Sequence, residues 1–558
     1  MSKGYMAGDY AISPAKVTFK CDDQAYQRVF DRCEALEKEN VQAFGARRVV
    51  QEGAKYHGVW LETQPMGGEM YIKRDMDAGF NNILVFMENQ RRDGRLPGMI
   101  RYDAPWNGLS AHFDWMQGDF FTVPALRMAW HIDRDRGYLE RLYAALRDFD
   151  AYLWSCRDSD GDGCLEAWCM WDTGDDNNSR YLVNRVSAIE NGAWNGETAP
   201  YGVGRLPFES AEFMAYNYAQ RSALAQISEW LDNGEAEMWR AKAEQVRARF
   251  IEYLWDDERG FAFDRDGDNV KIDSISLENI KCMYQGIFTQ EMADRFIRKH
   301  LLNPAEFWTA MPLPNIAVND PLFYLDDAHT NLSSENLKLF KEYSHGDVAD
   351  NSWSGPVEGL SLQRSLLALM RYGHHAETGM IGRKFIDMLA KTDRYTQQYN
   401  PFTAQATAGG DGYGPTILAA LEYMAYLYGV GFEEDEVVFS ALDDARETEY
   451  TQLIHGRTYA VRRENGRAAA YVDGKEAFSF TLGARVYATR DGAPVKIVGL
   501  NERTVDMALT VGGETLTARL HPNEEMRVDG GKLVSVKRVD FAAEQGAALE
   551  TAAGRIVI

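Results

Sequence analysis

The feature that most constrains this chain is a change of apolar period near residue 437. From about residue 24 to 428, apolar side chains recur at helical spacing. In 67–92, GGEMYIKRDMDAGFNNILVFMENQRR, Met76, Phe80, Ile83 and Met87 share one face. The same period runs through 119–132, 136–156, 208–231, 235–255, 289–300, 334–343, 357–372, 375–391 and 415–428. Two of these stretches close alike, as AYLWSCRDSDGDG and EYLWDDERGFAFDRDGD, an aromatic-ended helix followed by an acidic, glycine-rich turn. Recurrence at about 100 residues is the mark of stacked helix pairs around a closed ring, not of a βαβ sheet. Beyond 437 the chain alternates in short runs broken by Asn-Gly, Asp-Gly and Gly-Gly, the pattern of antiparallel strands. The expected division is a mainly α part over 1–436 and a sandwich-like β domain over 437–558.

A formal charge of −24 repels phosphate backbones and anionic lipid, and there is no basic stripe to offset it. Neither nucleic acid nor a membrane is an expected partner. No segment approaches the ~20 apolar residues of a membrane span. The opening MSKGYMAGDYAISPAK lacks a basic-then-apolar signal pattern, and six cysteines in 558 residues do not make a disulfide framework. Both set the expectation of a cytoplasmic protein with reduced thiols. Thirteen Trp and 28 Tyr suit a neutral, sugar-like ligand, although large cores use aromatics too.

The densest chemistry lies in Trp171–Tyr181, WDTGDDNNSRY, where three carboxylates stand within five residues. GVWLETQPMGGEMY places Trp60 and Glu62 at the start of a helix, and DWMQGDFFTVPALRMAW begins another after Gln117. NSWSGPVEGL enters a helix at Gly-Pro and carries Trp353 and Glu358. YTQQYNPFTAQATAGGDGYGPT is an aromatic and amide-rich loop with Gln397 and Tyr399. In a ring of helix hairpins such loops gather at one end and line a pit. Glu197, in ENGAWNGETAP, lies in a stretch too irregular to place.

NQRRDGRLPGMI, RDSDGDGCLEAW, WDTGDDNNSRY, SWSGPV and QYNPFTA…GYGPT, in this order and spacing over residues 45–430, resemble the glycosidases of glycoside hydrolase family 63. Those are inverting (α/α)6-barrel enzymes that include mannosylglycerate and glucosylglycerate hydrolases, with trehalases and glucoamylases as more distant cousins. The resemblance implies an (α/α)6 barrel followed by the C-terminal β domain, and exo-type cleavage of an α-glycosidic bond in a small saccharide or glycoside. It puts the general acid on Asp176 and gives Glu62, in VWLE, the place of a sugar-gripping aspartate.

The chemistry of that assignment stands on its own. An inverting glycosidase needs one carboxylic acid to protonate the leaving oxygen and one carboxylate to activate water, roughly 6.5–9.5 Å apart. Like charge from Asp172 and Asp175, with an aromatic wall from Trp171, would keep Asp176 protonated. Gln117, Asn177, Arg180, Trp60, Trp353 and Tyr399 complete the expected sugar-binding set, with core packing the alternative for the aromatics. The pattern breaks at the second carboxylate. The family's base stands two residues before the Tyr of a Tyr-Asn-Pro segment, and here that residue is Gln397.

A neutral amide cannot deprotonate water. The base has moved, with Glu358 the best candidate because GPVE stands where the family reads GPVW. Otherwise phosphate is the nucleophile, as in a sugar phosphorylase, or Gln397 is an inactivating substitution, or the chain is a non-catalytic carbohydrate-binding protein. Glu358 has its own bland reading, since a Glu in a first turn favours the helix dipole.

DSDGDGCLE spaces Asp158, Asp160, Asp162 and Glu166 like oxygen ligands of calcium, but Cys169 at the twelfth position excludes an EF-hand. A plain Asx-rich turn is the alternative. No cofactor is required by the reaction, and no zinc pattern occurs among the ten His and six Cys. An epimerase on this framework would want histidines near the pit, and His374 and His375 lie between helices.

Overall fold

The computed structural model describes Tyr10 and residues 12–103, 108–184, 199–202, 204–344 and 351–542. Glu197 lies outside them. No helix among the described residues is long and apolar enough to cross a membrane.

The helical part is organised by which helices are apolar all round. Helix Gly414–Tyr428 starts with Pro at its first turn and buries nearly every side chain. Helix Ala211–Leu231 buries residues on all faces, and Ser210 caps it by accepting from the Phe213 amide. A helix with no polar stripe belongs inside. Among the described residues the inner helices form a closed circuit: Gln64–Tyr71, Thr122–Met128, Ala211–Leu231, Glu278–Gln285, Gly359–Arg371 and Gly414–Tyr428 each pack on the next, and the last packs on the first. Further helices pack on this circuit from outside, and one of them, Met76–Glu88, is itself buried on nearly every face. Met76–Glu88 packs on Gln64–Tyr71, Ala236–Tyr253 on Ala211–Leu231, and His375–Thr392 on both Gly359–Arg371 and Gly414–Tyr428.

The period expected to run as one helix over 67–92 is two helices, 64–71 and 76–88. The break has a local cause. Asp75 turns its side chain back to the Ala78 amide as an N-cap, and the two helices cross where a Cβ on Gly68 would stand 2.6 Å from the Gly79 carbonyl. Helix Glu278–Gln285, ENIKCMYQ, is absent from the sequence-based set because its eight residues span only two turns.

The run of strands that builds the C-terminal part begins at Val430, earlier than the expected 437. They form a seven-stranded and a six-stranded antiparallel sheet among the described residues. The edge of the seven-stranded sheet is Lys16–Cys21, paired with Thr448–Ile454. Residues grouped by the sequence with the helical part therefore close a sheet of the C-terminal part. The burial of Lys16–Cys21 alternates strictly, as a strand with one face on a core requires. His374 bonds Asp294 and Glu377, and His375 meets Tyr426 and Arg485. Asp294, Glu377 and Tyr426 stand on helices and Arg485 on a strand of the β domain.

Candidate active site

Glu62, Glu212, Glu278 and Glu358 each stand at, or within one turn of, the N-terminus of an inner helix. Helix N-termini favour negative charge, which is how one end of the ring holds so many buried carboxylates. Asp176 enters between them on a loop tied to residues 351–354. The Asp176 carbonyl accepts from the Trp353 amide at 2.9 Å, Asn177 donates to the Asn351 carbonyl at 2.8 Å, and Ser354 Oγ donates to the Asn177 carbonyl at 2.8 Å.

Only one oxygen of Asp176 is taken. Its Oδ2 accepts from Asn351 Nδ2 at 2.8 Å, while Oδ1 is buried and has no hydrogen-bond partner among the described residues. Burial first, then the charges of Glu62 and Asp175, push this carboxyl well above the usual range. Glu358 is built the same way. Gln398 Nε2 donates to its Oε1, and its Oε2 is buried without a partner among the described residues. Burial and the charges of Glu62 and Asp176 raise it well above the usual range, against the Gln398 bond. Glu358 occupies the N-cap position of its helix, yet its side chain makes no capping bond. Dipole support alone does not account for it.

Glu62 takes a bond from Gln117 Nε2 at 2.9 Å and pairs with Arg364 at 3.2 Å. Burial raises its carboxyl, and Arg364 and Gln117 oppose that rise. Trp60 is half-buried, its ring edge-on to Tyr56 at 5.8 Å. Gln397 is 4% exposed; its Oε1 accepts from Tyr56 at 2.6 Å and its Nε2 reaches Asn351 Oδ1 at 3.3 Å.

Several expected sugar ligands have other work. Asp172 is fully buried; it accepts from the Met116 and Trp168 amides and pairs with Arg157 at 2.6 Å, so it fixes the loop and leaves no oxygen for sugar. Nor does it supply the like charge expected at Asp176, which comes from Glu62 and Asp175. Trp171 lies half-buried against Trp115, ring centroids 4.8 Å apart. Arg180 is locked beneath the pit by Asp264 at 2.7 Å and by Asp175, Glu212 and Glu278 at 3.3 Å. Asp175 pairs with Lys281 at 2.5 Å; although burial works against it, Lys281 and Arg180 hold its carboxyl below the usual range. Asn177 secures the loop. Trp353 is 3% exposed with Lys281 and Arg364 over its ring, so it is a wall and not a sugar platform. Tyr399 is buried and donates to the Arg394 carbonyl, which removes it from the sugar set.

The site also contains residues the sequence analysis passed over. Glu52 is buried and accepts from Tyr413 at 2.7 Å. Burial, Glu62 and Asp176 push its carboxyl up to about 8. Its signal was available: a carboxylate two residues after the apolar pair Val49-Val50 and ten residues before Glu62. Arg364 in GLSLQRSLLALM and Lys281 in ENIKCMYQ carried the same signal, a lone cation inside an otherwise buried helix.

In the acidic turn, Asp158, Asp160 and Asp162 bring oxygens within 4.8 Å of one another, and Asp160, Glu166 and Glu209 form a second such group. Glu166 is satisfied by Ser159 and Trp168, and Asp162 pairs with Arg249 at 2.7 Å. Glu209 Oε2 is buried with no hydrogen-bond partner, and burial with the charges of Asp162, Glu166 and Asp160 pushes this carboxyl up to about 9.

Residues 75–416 match the family described as mannosylglycerate hydrolase MGH1-like glycoside hydrolase domain. The chain belongs to this glycoside hydrolase family. The match covers more than half of the chain and spans Asp176, Glu358 and Gln397. The fold is similar to that of the family 63 mannosylglycerate hydrolase from Thermus thermophilus, solved with Tris, at 18% identity, 71% of this chain, all of that chain and a TM-score of 0.55. The same enzyme with Tris and D-glycerate gives the same identity, coverage and score. A family 78 rhamnosidase from Bacillus sp. GL1 is similar at 10% identity over 83% of this chain and 42% of that one, with a TM-score of 0.50.

Proposed function

We propose that the protein hydrolyses an α-glycosidic bond at the end of a small saccharide or glycoside, with inversion, using Asp176 as acid and Glu358 as base. The observation that carries this reading is the pair of buried, unpartnered oxygens, Asp176 Oδ1 and Glu358 Oε2. Buried polar atoms are normally satisfied. Glu212 and Glu278 also keep an orphaned oxygen but are paired with Arg180, which leaves the orphans of Asp176 and Glu358 for a substrate and a water. The charge of Asp176 raises Glu358, so a proton on Asp176 eases ionisation of Glu358. An acid and an ionised base are the two species inversion requires. In the step, the Asp176 proton passes to the leaving oxygen as the glycosidic bond breaks. Water bonds to the anomeric carbon and gives its proton to Glu358.

Glu62, steadied by Gln117 and Arg364, and Trp60 would hold the terminal sugar. The closed circuit of inner helices, with partners outside, supports an (α/α)6 barrel as the scaffold. The test is sugar release from α-mannosides and α-glucosides of glycerate and of a second sugar. Absence of release from every member of that panel contradicts the proposal.

Gly174 gives a sharp check on Glu62. Its φ is +81°, and a Cβ there would stand 2.1 Å from Glu62 Oε2. Gly174→Ala is expected to displace that carboxyl and lower kcat/KM on the order of 10²-fold, as small misplacements at a site do. An unchanged kcat/KM shows that Glu62 does not grip the sugar.

The acidic turn supports a structural calcium site with Asp158, Asp160, Asp162 and Glu166, joined by Glu209. The orphaned oxygen of Glu209 is the fit that a plain turn does not explain. Calcium bound at about a hundred times its dissociation constant would stabilise the fold by ~2.7 kcal/mol. Chelation is therefore expected to lower Tm by several degrees in calorimetry. An unchanged Tm with no calcium by elemental analysis leaves the plain turn.

A further inference from the structure

The residue at the family's base position is neutral here, yet it is not idle. Tyr56 donates to Gln397 Oε1 at 2.6 Å, Gln397 Nε2 donates to Asn351 Oδ1 at 3.3 Å, and Asn351 Nδ2 donates to Asp176 Oδ2 at 2.8 Å. A second branch meets at the same atom. Gln398 Nε2, which has two hydrogens, donates to the Ser352 carbonyl at 3.1 Å and to Glu358 Oε1, and lies 3.4 Å from Asn351 Oδ1.

The direction of these bonds is determined. A backbone carbonyl only accepts, so Ser352 fixes the nitrogen end of the Gln398 amide. That NH2 faces one end of Asn351, which must be its oxygen. The Gln397 amide then turns its own NH2 to the same oxygen and its Oε1 to the Tyr56 hydroxyl, and Asn351 Nδ2 is left for Asp176. A protonated carboxyl accepts best at its C=O oxygen, so an amide donating to Oδ2 favours the proton on the other oxygen. The proton of Asp176 belongs on Oδ1, the oxygen without a protein partner.

We propose that Asn351, held in orientation by Gln397 and Gln398, is a positioning residue that selects the oxygen of Asp176 from which the proton is delivered. This rests on Asp176 as the acid and gives Gln397 a role that a carboxylate could not fill. A carboxylate at position 397 only accepts, so it would draw Asn351 Nδ2 to itself and turn Asn351 Oδ1 toward Asp176. The acid would then direct its proton at Asn351 instead of the leaving group.

The Asn351 bond also favours the ionised form of Asp176, so its removal raises the Asp176 pKa. The other charges facing Asp176 are Glu62, Asp175, Glu52, Glu358 and Lys281, and none changes in the variants below.

The test is infrared titration of the carboxyl stretch in the intact protein without substrate, with the Asp176 band assigned as the one absent from Asp176→Asn. In Asn351→Ala and in the smaller change Asn351→Ser, the band is expected to move to higher wavenumber, as a carbonyl does on losing a hydrogen bond. Its midpoint should rise by about one pH unit, the scale of one bond to a charged group. Turnover should fall on the order of tenfold, with the basic limb of the pH profile moving up by the same amount. Gln397→Glu should also lose turnover. An unmoved band and midpoint in both Asn351 variants, or a gain of activity in Gln397→Glu, overturns the inference while leaving Asp176 as the acid. Full activity in Asp176→Asn overturns the reading beneath it.

Discussion

Asp176→Asn is expected to lower turnover of an unactivated glycoside on the order of 10²-fold or more, the scale of lost general-acid help. The amide keeps the shape of the side chain and its fit among Asn351 and the tied segment 351–354. What it lacks is a transferable proton on the oxygen that faces no protein group. Glycosides with good leaving groups need less protonation, so they should lose much less. The ratio of the two losses, measured by steady-state kinetics, separates a missing proton from a damaged pit. Near-normal hydrolysis of the unactivated substrate removes Asp176 from the acid role.

Glu358→Gln is expected to abolish hydrolysis while sugar binding persists, because only the proton acceptor is lost. Gln is nearly isosteric with Glu, and its Oε1 can still accept from Gln398 Nε2. Gln397→Glu is not expected to rescue it. That change adds a carboxylate to a pit where Glu52, Glu62, Glu358 and Asp176 already crowd one another. Binding of the sugar by calorimetry, set beside turnover for both variants, gives the comparison. Hydrolysis by Glu358→Gln at the normal rate, or a gain of several orders of magnitude in Gln397→Glu, would return the base to position 397.

The two variants also mark what sequence could and could not convey. Helical and strand periods located most elements, because burial of one face leaves its spacing in the apolar residues. The exceptions were set by events that leave little period. These are the Gly68–Gly79 crossing that splits one helix pattern into two, the eight-residue helix at 278, and the pairing of Lys16–Cys21 with a strand more than 400 residues away. At the site, the order of short motifs brought Glu62, Gln117, Asp176, Glu358 and Gln397 together.

Composition could not tell which polar residues face sugar and which hold the walls. Asp172 and Asp176 are both acidic and four residues apart, yet one is saturated by Arg157 and backbone amides and the other keeps an open oxygen. Arg180 and Tyr399 mislead for the same reason. Their partners, Asp264 and the Arg394 carbonyl, are decided by packing, and only the folded chain reveals that their capacity is spent. Glu52 was missed because its neighbours in space, Tyr413 and Asp176, are remote in sequence.

The central claim is that water, activated opposite Asp176, attacks the anomeric carbon directly. Proton NMR of the sugar released in the first minutes from an α-glycoside, before mutarotation, tests it most directly. In phosphate-free buffer the account predicts the β-anomer as the first product. First release of the α-anomer, or release of a sugar 1-phosphate only when phosphate is added, would contradict it.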